Sequence, residues 1–131
     1  MTLLHEIEYY LHDNGIQEYR FLEATHEAVD EWMEVATANA RSVPASGLIH
    51  YLIVLPVGEL IPLMHTFTRI QEALKARPLR PSTRVAILHA PDFLVSVLEA
   101  FIRMLRSGDK DVVRFFLHDH REDAIRWLLN K

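Results

Sequence analysis

Apolar residues along this chain fall into two kinds of pattern: short unbroken runs, and longer stretches where they recur at helical spacing. The clearest run is Leu48 to Leu55, preceded by Gly47 and followed by Pro56-Val57-Gly58. It is too short for an independent helix and has the length and boundaries of a strand buried on both faces. Such a strand needs layers of helix over it, so it is read as the central strand of an α/β sheet. Upstream, Leu3 to Tyr10 and Ile16 to Leu22 alternate partially around Asp13-Asn14-Gly15, residues that tolerate the backbone of a tight turn. The pattern predicts an N-terminal β-hairpin, although Ile7, Tyr10 and Leu11 are also spaced for a short helix over Leu3 to Leu11.

Thr25 stands where an N-cap belongs, ahead of Ala28, Val29, Trp32, Met33, Val35 and Ala36 at helical spacing, and this helix is expected to run to about Ala40. A second amphipathic helix follows the central strand, marked by Leu60, Leu63, Met64, Phe67, Ile70, Ala73 and Leu74, with Pro62 in its first turn. Arg77 to Ser82 is a proline-stiffened connection. Arg84 to His89 reads as another buried strand, Pro91-Asp92 opens a third helix that Gly108 stops, and Asp111 to Leu117 is the last strand. Arg121 to Asn130 closes the chain as a short helix in which Trp127 is expected to be the large apolar anchor.

The order ββα, βα, βα, βα predicts an α/β fold, a single-layer mixed sheet of about four to five strands with helices packed on it. Residues 1–131 form one domain in this reading, with the hairpin at about 3–22 and the β/α units at about 25–130. With 131 residues and half of them hydrophobic, the chain is large enough for one core without disulfide or metal. The net charge of −4 supplies no basic field, so nucleic acid is not an expected partner. The absence of cysteine excludes thiolate catalysis and zinc–cysteine sites. No apolar run reaches a membrane span and the N-terminus carries acid at once, which makes the expected location cytoplasmic.

The closing pattern, a strand Val112-Val113-Arg114-Phe115-Phe116, a polar turn and then Glu122-Asp123-Ala124-Ile125-Arg126-Trp127-Leu128, resembles the end of SpoIIAA-like domains of the STAS type. The order of elements from roughly Ile16 to Leu129 is similar to that family too. The resemblance implies a small regulatory domain that binds another protein, with a phosphorylatable serine in the loop after the central strand. Here that loop is Pro56-Val57-Gly58-Glu59, without a hydroxyl, so the resemblance implies an interaction surface without the phosphoswitch.

Three of the eight histidines fall where α/β folds place sites, beyond the carboxyl ends of strands: His89, His118 and His120. With Asp92 or Asp119 they are candidate transition-metal ligands, and equally turn and capping residues. No glycine-rich phosphate loop and no Gly-x-Ser-x-Gly elbow occurs. Basic residues Lys75, Arg77, Arg80 and Arg84 gather round the proline connection, where helix C-termini attract cations. Met64, Phe67, Phe93, Phe101 and Met104 are candidates to line an apolar pocket, and equally plain core. The reading is a non-enzymatic regulatory or interaction domain, with no cofactor and with Pro56, Val57, Gly58, Glu59, His89, His118 and His120 as its site. The alternative is a carrier or sensor of a small apolar or lipid-like ligand; a histidine-based metal protein ranks behind both.

Overall fold

The computed structural model describes residues 2–3, 5–91, 99–100, 103 and 110–130. Its strands are β1 (Thr2–Leu3), β2 (Ile7–Leu11), β3 (Gln17–Phe21), β4 (Leu48–Val54), β5 (Ser82–His89) and β6 (Asp111–Leu117). They pair in chain order in one mixed sheet, antiparallel from β1 to β3 and parallel from β3 to β6. Helix α1 (His26–Ala40) joins β3 to β4, α2 (Leu63–Ala76) joins β4 to β5, and α3 (Arg121–Leu128) follows β6 after a 3-10 turn at His118–His120. The helix expected between Asp92 and Gly108 lies for the most part outside the described residues.

Local chemistry accounts for the joints. The hairpin turns at His12–Ile16, where the Asn14 side chain accepts the Ile16 N–H at 3.1 Å and Gly15 takes a φ of 90°. The short-helix alternative for Leu3 to Leu11 is therefore not adopted. The brief strand β1 was not predicted; two residues carry no readable period. Thr25 caps α1, its Oγ1 accepting the Ala28 N–H at 3.0 Å while donating to Glu6 at 2.5 Å. Glu31 of α1 reaches back to accept the N–H groups of His5, Glu6 and Ile7 at 2.8, 3.1 and 3.3 Å. Pro62 is the N-cap of α2 rather than part of its first turn, with an extended ψ of 101°.

Side chains alternate cleanly between the two faces of the sheet. Odd-numbered strand residues, among them Ile7, Tyr19, Phe21, Ile53 and Ile87, meet Ala28, Val29, Met33 and Ala36 of α1, with Ile70 and Ala73 of α2 beside them. Even-numbered ones, Leu52, Val54, Ala86 and Leu88, meet Ala124 and Leu128 of α3. This division follows from topology: right-handed crossovers that always step the same way along a sheet fall on the same side of it.

The two helices on the odd face are not equally embedded. Four residues of α1 are buried, but only Thr66 of α2 is. Tyr51, expected to be largely buried like Ile53, is less so, of intermediate exposure beneath the helices. Among the described residues no helix is long and apolar enough to cross a membrane. Trp127 is packed, 5.9 Å from the Phe116 ring and 4.0 Å beneath the Arg84 guanidinium, but half-buried, while Leu128 and Ala124 are wholly enclosed. The anchoring of α3 therefore rests first on Leu128. Leu128→Ala is expected to cost about 2–5 kcal/mol in urea unfolding, with Trp127→Ala costing less; a larger loss for Trp127→Ala would reverse that order.

Candidate functional site

Parallel strands β3 to β6 end on one edge, where the seven site residues predicted from sequence lie in two environments. Pro56, Val57, Glu59 and His118 line an open cleft of about 550 Å³ together with Arg20 and Arg121. Gly58, at the turn beside it with φ 79°, is exposed, and so is His120 ahead of α3. His89 is buried instead of facing solvent: its Nδ1 lies 2.8 Å from the Ala90 carbonyl and its ring stands edge-on to Phe115. The groups in the cleft have structural partners. Glu59 accepts the Ala24 N–H at 3.1 Å, tying the β3–α1 connection to the loop after β4, and His118 Nε2 lies 3.0 Å from the Leu55 carbonyl. Among the described residues no three His, Asp or Glu side chains are grouped to hold a metal; Asp92 lies outside them.

Below the cleft lies a charge cluster that sequence reading missed. Glu18 of β3 is 2 % exposed and points to the even face. Arg121 grips it with both Nη atoms, at 3.1 and 2.5 Å, while His12 Nε2 stands at 2.8 Å and Arg20 at 3.2 Å. Burial alone would push this carboxyl up, but the bonds from Arg121, His12 and Arg20, with the Arg121 charge, outweigh it and bring the group down to about 2. The cluster is thus a permanently ionised clamp between the hairpin and α3. No sequence spacing signals it, because its two main partners are brought together only by the sheet.

A more apolar space lies on the other face. Between α1, α2 and strands β4 to β6 lies a cavity of about 440 Å³, within the roughly 300–1,000 Å³ of ligand pockets. Its walls are Trp32 and Ala36 of α1, Ile70 and Ala73 of α2, and Tyr51, Ile53, Val85 and Phe115 of the sheet. Of the pocket candidates named from sequence, Met64 is 71 % exposed and Phe67 is not in the wall; Phe93, Phe101 and Met104 lie outside the described residues. Burial in this environment pushes the Tyr51 hydroxyl up to about 12, leaving it a neutral hydrogen-bond donor at ordinary pH. Helical spacing shows which face of α2 is apolar, but not that the helix stands away from the strands.

Comparison with known proteins gives no relatives: no family model, no curated protein and no solved structure matches this chain.

The Glu18 clamp has a defined pH signature. Its folded-state value lies below the ordinary 4.5, so its stabilisation is complete above pH 4.5 and is lost as pH falls from there towards 2. Glu18→Gln, which takes the charge partner from Arg121 and Arg20, is expected to cost about 2–4 kcal/mol at neutral pH, less than an entirely enclosed pair because both arginines keep water contact. Urea midpoints of parent and variant should converge as pH drops below 4.5. Parallel curves across that window would contradict the role given to Glu18.

Proposed function

We propose that this protein is a non-enzymatic binding domain that carries or senses a small apolar, lipid-like ligand held between its sheet and helices α1 and α2. The carrying observation is the 440 Å³ cavity, whose wall is overwhelmingly hydrophobic. An amphipathic helix normally buries its apolar stripe, since each Å² removed from water contributes about 25 cal/mol. Helix α2 leaves Ile70, Ala73 and Leu74 only half-buried over strand residues that are themselves half-buried. A ligand between them supplies the missing contacts. The polar groups in the wall suit holding a ligand rather than transforming it: Tyr51 stays neutral, and Asp111 is engaged by Arg80 and Thr83.

A second reading, the STAS-type interaction domain, is favoured by a different observation. Val57, Leu60 and Met64 are exposed apolar residues in the loop after β4 and the start of α2, the place where the family resemblance implies a partner surface. That loop lacks a hydroxyl, and Thr66 is buried with its Oγ1 donating to the Pro62 carbonyl at 2.8 Å, so such binding would not be switched by phosphorylation there.

The cavity reading is tested with Nile red, a neutral apolar dye that fluoresces out of water, and with native mass spectrometry of protein purified without detergent. Saturable binding of one dye per chain is expected, weakened about tenfold or more by Ala73→Trp, which fills the space between α2 and the sheet. Circular dichroism of that variant should be unchanged. Absence of saturable binding by the parent protein would refute the proposal.

A further inference from the structure

The two ends of the cavity differ chemically. Towards the carboxyl end of the strands its wall includes buried Phe21 and Leu55. At the amino end its wall includes Arg41, which is exposed, so the cavity reaches the surface there beside Arg77, Arg80 and Asp111. From Ile49 to Leu55 the wall follows six steps of β4, about 20 Å at roughly 3.3 Å per residue. An apolar wall of that length suits an extended alkyl chain lying along β4.

We infer that the ligand is an amphiphile with an extended alkyl tail, whose anionic head sits at the open end against Arg41 and Arg77, with the tail directed towards Phe21 and Leu55. The inference rests on the cavity reading above and adds the ligand's class and direction. Charge at that end favours an anion. Arg77 donates to the carbonyls of Ala40 and Val43 at 2.7 and 2.9 Å, which fixes its guanidinium at the mouth while leaving its charge unpaired by any carboxylate among the described residues. Arg80 is paired with Asp111 at 2.5 Å. The C-termini of α1 and α2 also lie here, and each contributes about half a negative charge. Set against three arginines and one aspartate, the mouth remains net positive among the described residues. The carbonyl contacts of Arg77 also offset part of the α1 dipole. A carboxylate is the smallest head that fits; a phosphate shares the same chemistry.

The test is a fluorescence titration with cis-parinaric acid and, separately, its methyl ester, which has the same chain without the charge. The acid is expected to bind at least about tenfold more tightly at low salt, an advantage that shrinks at high salt. Arg41→Glu, a surface change with no hydrogen bond to lose among the described residues, should cut the acid's affinity about fivefold or more and spare the ester. Arg77 is the poorer choice because its removal loosens the end of α1. Equal affinity for acid and ester, unaltered by Arg41→Glu, would overturn the head-group assignment while leaving the apolar cavity standing. Failure of both probes to bind, or indifference of both to Ala73→Trp, would overturn the cavity reading and this inference with it. Binding of dodecyl phosphate as tight as the acid would support the anionic mouth and place the selectivity in charge rather than in carboxylate shape.

Discussion

Four parallel strands paired in the order of the chain leave each crossover one face to lie on. That constraint organises the molecule. It places α1 and α2 side by side on the odd face and leaves the even face to α3, the element that follows the last strand. Among the described residues the odd face carries two long helices over a row of large side chains, among them Tyr9, Tyr19 and Tyr51, whose rings step across three strands at 5.0 and 5.9 Å. Helix α1 meets this surface with alanines, valine and methionine and sits down closely. Helix α2, launched from the extended backbone of Pro62, leans on α1 and spans the strands without filling the layer beneath it. The cavity is a product of that mismatch.

The two faces solve the problem of charge in opposite ways. On the even side a buried carboxylate is held directly by two arginines and a histidine, so the group serves as a rivet. On the odd side the charges gather where strands begin and helices end, and positive charge remains in excess. Burying an ion is favourable only when its partners are close and its remaining bonds are met, and Glu18 satisfies this with four contacts to three side chains. Arg77 spends its hydrogen bonds on carbonyls instead, which hold its geometry without cancelling its charge. The first arrangement holds the molecule together; the second leaves a field at a cavity mouth.

Much of the fold was legible in the sequence because burial on both sides leaves an unmistakable run of apolar residues. Leu48 to Leu55, Asp111 to Leu117, the Asn14-Gly15 turn and the Thr25 cap all lie where the pattern places them, since each depends on neighbours in sequence. Tyr51 shows the limit. Its position on the strand was readable, but its partial exposure depends on how far α2 stands from the sheet, a distance no periodicity encodes. His89 was read as a site residue because it ends a strand, yet Phe115 and Ala90 enclose it. Glu18 and Arg121 were unreadable as a pair for the opposite reason. Each looks like an ordinary surface charge, and they meet through the register of four strands.

Those two residues are 103 positions apart, with strands β4, β5 and β6 between them. Domains generally fold as units, so a domain whose last elements are still unmade waits for them. A nascent chain holds the hairpin, α1, β4 and β5 before α3 has been made. Throughout that time Leu52, Leu88 and Ala86 have no cover on the even side, and Glu18 lacks its principal partner. Both wants are met at once when residues 121–128 arrive. The growing molecule is therefore a half-sealed sheet with an apolar flank and a bare carboxylate, which is the state in which a chaperone has most to hold and a stalled ribosome most to lose.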